Sequence, residues 1–289
     1  MEWLAPRPGS VVVDGTLGLG GHAELILERL EPHGRLVGFD RDVQALAEAE
    51  KRLSRYGDRT VIIHDNFRNI PSRLKEMGIE EAQGILLDLG VSSLQLDSAR
   101  RGFSFKTAGP LDMRMDTREK ITAEHIVNTY PQKEIERVLR NLGEERFATR
   151  IARRIVEKRS QHRITATQEL ETIIFHAVPK PYRYGRIHPA TRSFQALRLE
   201  VNHEIDALKD FLSNALKVLS HHGRLVVISF HSLEDREVKR AFREFKKQRA
   251  GKILTPKPVV PSPKEIAENP RSRSAKLRAF EKIEEAVAR

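Results

Sequence analysis

The chain has 289 residues, 39% hydrophobic and 31% charged, with a formal charge of +11. That is enough for one large α/β domain plus a smaller one around a buried core. It has no cysteine, which excludes disulfides, thiolate metal sites, iron–sulfur clusters and cysteine nucleophiles, and no metal site is assigned.

No stretch approaches the roughly 18 to 20 apolar residues of a membrane helix, and the first residues lack a signal-peptide pattern. A soluble, cytoplasmic protein is therefore expected. The charge is unevenly spread. Residues 146–198 hold 12 lysines and arginines against 3 acidic residues, and residues 236–289 hold 16 against 7. Each block is +9, so within a total of +11 the remaining residues carry −7. An acidic body with two basic segments suits a phosphate-backbone partner, because counterion release follows clustered positive charge.

In chain order, short apolar runs alternate with amphipathic stretches, the pattern of a parallel α/β sheet. Strands are predicted at 11–14, 35–40, 60–64 and 84–89. Helices are predicted at 22–30, 43–55, with Leu46 and Leu53 inward, and 72–77. From Val91 to about Ala190 no strand is legible. Helices are predicted there at 123–128, 132–141, 146–158 and 167–177, joined by loops holding Gly102, Gly109, Pro110, Pro179 and Pro181. A helix over 194–219 follows, with Ile205, Leu208, Leu212, Leu216 and Leu219 at helical spacing and Gly223 as its end. Then come a strand at 224–230, a helix at 234–247, a proline-rich connection at 256–263 and a last strand at 276–283.

The first strand runs from Val11 through Asp14 into a glycine-rich turn, Gly18-Leu-Gly-Gly-His22. Such a turn exposes backbone N–H groups and lets a ligand approach without meeting a Cβ. Asp40 ends the second strand, 20 residues beyond Gly20, where a carboxylate can accept both hydroxyls of a ribose. Gly18-x-Gly20-x-x-Ala23 also fits the loose dinucleotide fingerprint, so a nicotinamide-dependent oxidoreductase is the natural rival. Asp14 opposes it. A carboxylate at that turn would repel a pyrophosphate but would pair with the ammonium or sulfonium end of S-adenosylmethionine. Asp65-Asn-Phe67 offers a polar edge and an aromatic face for adenine, although Phe67 also suits the core. Asp88 ends the fourth strand and should face the same crevice, with turn capping as the ordinary alternative.

The glycine turn, Asp88-Leu-Gly-Val-Ser-Ser-Leu-Gln95, Arg101-Gly-Phe-Ser-Phe105, Pro110-Leu-Asp-Met-Arg-Met115, Phe194-Gln-Ala-Leu-Arg198, Ser229-Phe-His-Ser-Leu-Glu-Asp-Arg236 and Asn269-Pro-Arg-Ser-Arg-Ser274 occur in that order. Together they resemble the MraW (RsmH) family over essentially the whole chain. The resemblance implies an enzyme using S-adenosyl-L-methionine to methylate cytosine N4 in the decoding region of 16S ribosomal RNA. The substrate would be the small subunit or its late precursor. The fold implied is an α/β, Rossmann-like, seven-stranded class I methyltransferase sheet with an inserted helical domain. The expected division is 1–94 and 191–289 for the methyltransferase domain and 95–190 for the helical, RNA-facing insertion.

By motif, the resemblance implies Gly20, Gly21 and His22 at the cofactor's amino-acid end, Asp40 at the ribose and Phe67 beside the adenine. It implies Asp88 and Gln95 near methyl transfer. Family members usually begin with a segment resembling His-x-Pro-Val. This sequence opens Met1-Glu-Trp-Leu, so no role is carried over for that segment.

Methylation at cytosine C5 commonly requires a cysteine, whereas N4 needs only an acceptor for its hydrogens and correct approach to the methyl group. Asp88 or neighbouring carbonyls are candidate acceptors. His231 and Ser232, after the fifth strand, are candidates to orient the base, with a structural histidine the alternative. A base in folded RNA must be rotated out, with backbone contacts from Arg146, Arg150, Arg153, Arg154, Arg271 and Arg273. A non-catalytic RNA-binding assembly protein on the same scaffold is the second rival.

Overall fold

The computed structural model describes residues 1–283. It begins with β1 (Val11–Asp14), α1 (Gly21–Leu30), β2 (Arg35–Asp40), α2 (Val43–Leu53), β3 (Thr60–His64), α3 (Ile70–Glu76) and β4 (Ala82–Asp88). Seven helices follow: α4 (Ser93–Asp97), α5 (Ala123–Thr129), α6 (Gln132–Gly143), α7 (Ala148–Arg159), α8 (Thr167–Ala177), α9 (Lys180–Arg183) and α10 (Ala190–Asn202). Then come α11 (Glu204–Val218), β5 (Leu219–Ser229), α12 (Ser232–Lys247), β6 (Gly251–Ile253), α13 (Pro263–Glu268) and β7 (Lys276–Lys282).

The seven strands form one sheet in the order β3-β2-β1-β4-β5-β7-β6. β1 to β5 are parallel, and β7 runs antiparallel between β5 and β6. Successive side chains leave opposite faces of a strand, so both faces of a covered sheet must be apolar. Val12, Leu36 and Leu86 accordingly join Ile26, Leu27 and Leu53 in one core. Val13, Val37, Ile85 and Leu87 join Leu74, Phe211 and Phe242 in the other. The chain leaves β1 towards β2 on one side while β4 lies on the other. This topological switch opens a crevice at the strands' carboxyl ends, where ligands of open α/β sheets collect.

Two compact units result, Met1–Gly90 with Ile205–Arg289, and Val91–Glu204. The expected boundaries at 94/95 and 190/191 are therefore displaced, and α10 belongs to the inserted unit. The single helix expected over 194–219 is two helices, broken at His203, which takes the left-handed conformation (φ 49°, ψ 39°). Apolar spacing continues across the break because α10 and α11 each bury a face, in different cores. Histidine is among the residues that tolerate this backbone state. β5 starts at Leu219 rather than 224, and its register against β4 shifts between Ala82 and Gly84. The short edge strand β6 has no counterpart among the predicted strands.

The inserted unit packs α5, α6, α7, α8 and α10 around Ile126, Val138, Ile151, Ile174 and Leu197. Two of the family-like motifs tie it together. Arg101 Nη2 donates to the carbonyls of Arg114 (2.8 Å) and Met115 (3.2 Å). Asn202 accepts from Met115 N and donates to Met113 O, both at 2.7 Å. Buried polar groups that satisfy one another in this way fix one arrangement of the loop. Among the described residues no helix is long and apolar enough to cross a membrane.

Candidate functional site

The turn after β1 is held by its neighbours' backbones. Gly15 N donates to Leu86 O and Leu17 N to Phe39 O, both at 2.8 Å. A Cβ on Gly15 would lie 2.3 Å from Leu87 Cδ2, so a larger residue here would require the buried Leu87 side chain to shift. Gly20 has φ 78° and precedes α1, and its amide is used by Leu17 O. Its part is therefore conformational. Gly21 and His22 open α1, which no side chain caps. Their N–H groups lack i−4 partners at the positive end of the helix dipole, a setting for a carboxylate.

Three carboxylates meet this turn. Asp14 is fully buried. Its Oδ1 accepts from Thr16 N at 3.1 Å, and its Oδ2 has no partner. Burial raises its pKa to about 7, partly offset by His22 and reinforced by the negative charges of Asp88 and Asp40. Asp40 accepts from Gly18 N (2.7 Å) through Oδ2 and from Asp42 N (2.9 Å) through Oδ1. It is thus a brace for the glycine turn as well as a candidate for the ribose, since each oxygen keeps a second lone pair. Burial raises its pKa.

Asp88 is held by Thr16, whose Oγ1 accepts from Asp88 N at 2.6 Å. Its Oδ2 lies 3.2 Å from His22 Nε2, and its Oδ1 is buried without a partner. The hydrogen bond to Asp88 raises the His22 pKa. His22, expected at the amino-acid end, therefore also orients Asp88. Thr16 was not singled out in the sequence. Its signal is the hydroxyl two residues after Asp14, within the turn that must reach β4.

Phe67 is 9% exposed and packs edge-on to Phe211 at 6.1 Å, so most of its ring is embedded in the core beside the turn. Asp65, next to it, is engaged by Asn69 (2.8 Å) and Arg73 (2.7 Å). His231 caps α12, its Nδ1 accepting from Glu234 N at 3.4 Å, and its Nε2 lies 3.0 Å from Glu234 Oε1. Glu234 Oε2 in turn accepts from Phe230 N at 2.9 Å. His231 and Ser232 thus stand at the start of α12, and His231 Nε2, despite its approach to Glu234, is buried without a hydrogen-bond partner. Gln95 stands in the inserted unit as the third residue of a capping box, accepting from Ser92 N at 3.0 Å.

All six arginines expected at RNA are exposed. Arg153 and Arg154 share Glu157, at 3.5 and 3.1 Å, which offsets part of their charge. Arg271 and Arg273 flank the buried Ser272.

The crevice thus joins an uncapped helix start to two buried, unpartnered carboxylate oxygens, and a braced third carboxylate adjoins the turn. An amino acid's carboxylate and ammonium, with a ribose beyond, match this donor and acceptor set, so the residues fit S-adenosylmethionine.

Residues 1–283 match the model of the MraW methylase family. Three curated relatives, each called ribosomal RNA small subunit methyltransferase H, align over nearly the full length of both chains. The relative from Pelobacter propionicus is 50% identical, covering 98% of this chain and 96% of its own. That from Geotalea daltonii is 50% identical with the same coverages. That from Syntrophotalea carbinolica is 48% identical, covering 98% and 95%. The chain belongs to the MraW methylase family.

Proposed function

We propose that this chain transfers the methyl group of S-adenosylmethionine to the exocyclic N4 of a cytosine in the decoding region of 16S ribosomal RNA. The proposed substrate is the small subunit or its late precursor, in the cytoplasm. The observation that carries this reading is the pair of buried, unpartnered oxygens on Asp14 and Asp88 at the ends of β1 and β4. A buried acceptor without a donor costs about 1–3 kcal/mol, so each oxygen calls for a proton or a ligand donor. Family membership and the relatives' name point to small-subunit ribosomal RNA. The absence of cysteine disfavours C5 chemistry and leaves an exocyclic amine as the simplest target.

When bound, the cofactor supplies a methyl carbon attached to a sulfonium. In this reading Asp14 receives the cofactor's ammonium, the N–H groups of Gly21 and His22 receive its carboxylate, and Asp40 receives the ribose. Asp88 accepts a hydrogen bond from the target amine, drawing the nitrogen's lone pair out of conjugation with the ring. Asp88 would take the surplus proton of the methylated amine and pass it to His22, which is partly exposed. The products are the methylated cytosine, S-adenosylhomocysteine and a proton.

Incubating the protein and labelled S-adenosylmethionine with small subunits lacking the modification tests this. Label should enter 16S RNA. A folded chain that binds S-adenosylhomocysteine and RNA but transfers no label would instead be an assembly factor. Stabilisation by NAD but not by S-adenosylhomocysteine would revive the oxidoreductase rival.

A further inference from the structure

The inserted unit carries a second concave site, and we infer that this cleft binds one unpaired nucleotide of the RNA by stacking its base on Arg146 and Tyr182. This inference rests on the reading of the chain as an RNA methyltransferase and names a contact that the reading leaves open.

The cleft is about 250 Å³, lies at the start of α7 and around α9, and is lined by Arg146, Phe147, Tyr182, Ile187, His188 and Arg192 among others. It is smaller than the roughly 300 Å³ at which pockets for drug-sized ligands begin. That suits a single base and excludes a duplex.

Its walls combine aromatic faces with fixed positive charge. The Arg146 guanidinium lies 4.9 Å from the centre of the Phe147 ring and 4.6 Å from that of Tyr182. The two rings are 5.0 Å apart at 60°. An arginine laid on two rings is held in place on one side and, being exposed, presents its other side to solvent. Guanidinium planes and aromatic rings are the platforms on which proteins stack splayed RNA bases.

The back wall is braced by ring and polar contacts. His188 stacks on Phe105 at 4.8 Å and 29°, and its Nε2 lies 3.2 Å from Glu171 Oε1. Arg192 is anchored through Nη1 to Glu144 O at 3.2 Å, and its remaining N–H groups suit a phosphate. Glu145, an acidic residue of the lining, is 5% exposed and accepts from Phe147 N at 2.9 Å, so it is held back from the mouth. Tyr182 and Ile187 are 44% and 54% exposed. Apolar surface beside fixed cations, within a +9 block, matches a nucleotide better than an acidic peptide.

The test uses the full chain and a short single-stranded oligoribonucleotide carrying one 2-aminopurine, whose emission is quenched on stacking. Tyr182→Ala should weaken binding on the order of 10-fold, remove the quenching and leave the salt dependence unchanged, because no charge is lost. Tyr182→Phe should retain affinity and quenching. Arg146→Gln should weaken binding and lower the log–log salt slope by about 0.7. Unchanged affinity and quenching in both Tyr182→Ala and Arg146→Gln overturn the proposal. So does displacement of the oligonucleotide by a phosphorylated peptide that binds equally well in the two variants. Arg146→Gln carries the test alone should Tyr182→Ala fail to fold. Label transfer by the unaltered protein, run in parallel, separates the two readings. If transfer occurs but the variants bind normally, the cleft is at fault and the methyltransferase reading stands.

Discussion

His22 Nε2 lies 3.2 Å from Asp88 Oδ2, linking the first turn of α1 to the end of β4. In single-turnover kinetics, Asp88→Asn should slow transfer on the order of 10²-fold while affinity for S-adenosylhomocysteine changes little, because an amide is a poor proton acceptor. The Asp88 hydrogen bond raises the His22 pKa. The rate should therefore climb with pH and level off above that raised value, once neutral His22 is able to take the proton onward. His22→Gln should remove this inflection. An unchanged pH profile in that variant would take His22 out of the proton's route.

Asp14 gives a stability test with the opposite sign from an ordinary surface carboxylate. Burial lifts its pKa from 3.8 to about 7, so the folded state holds the proton more tightly than the unfolded chain. Its contribution is fully present at low pH, declines as pH rises from about 4 to 7, and is flat above. Asn cannot ionise and still accepts from Thr16 N. Asp14→Asn should therefore gain on the unaltered cofactor-free protein across that window, by up to roughly 4 kcal/mol at pH 8. Denaturant titrations at pH 5 and pH 8 measure this. With ligand the sign reverses. Affinity for the ammonium-bearing cofactor should rise with pH through about 7 in the unaltered protein and stay level in Asp14→Asn.

Asp40 braces the glycine turn through Gly18 N and Asp42 N, so its loss should affect more than a ribose contact. Asp40→Ala should lower stability by about 2 kcal/mol and weaken S-adenosylhomocysteine binding by more than 10-fold. Calorimetric titration and denaturant unfolding would separate the effects. Undiminished affinity in a destabilised variant would leave Asp40 a structural brace only.

The C-terminal basic block is tested through salt. Replacing Arg271 and Arg273 together with Gln should weaken RNA binding and flatten its log–log salt slope by about 0.7 to 0.9 per lost phosphate contact. S-adenosylhomocysteine affinity should not move. Lys51→Gln, on α2 and paired with Glu48 at 2.7 Å, is the control. Equal slope changes per charge removed at both places would mean that only the overall field matters.

Short apolar runs and helical spacing marked β1 to β5 and β7, because strands buried on both faces read as continuous apolar runs and amphipathic helices repeat every three to four residues. β6 was not legible. Gly251–Ile253 is three residues long, too short for any period. The break at His203 was hidden because apolar spacing reports burial, not backbone continuity. At the site, Asp14, Asp40 and Asp88 were legible from their places at strand ends. At Phe67 and His231 the sequence leaves two readings open, since an aromatic after a strand and a histidine before a helix serve a core and a cap as well as a ligand. Thr16 and the pairing of His22 with Asp88 depend on how closely β1 and β4 approach, which only the folded sheet displays.

The most direct measurement is the chemical identity of the methylated nucleoside. After reaction with labelled S-adenosylmethionine, 16S RNA from unmodified small subunits is digested to nucleosides and the label identified by chromatography and mass spectrometry. The expected result is label in N4-methylcytidine alone, accumulating on the order of 10²-fold more slowly with Asp88→Asn. Label in 5-methylcytidine, in a ribose-methylated nucleoside or in a purine would contradict the assignment of Asp88 as acceptor for a cytosine amine.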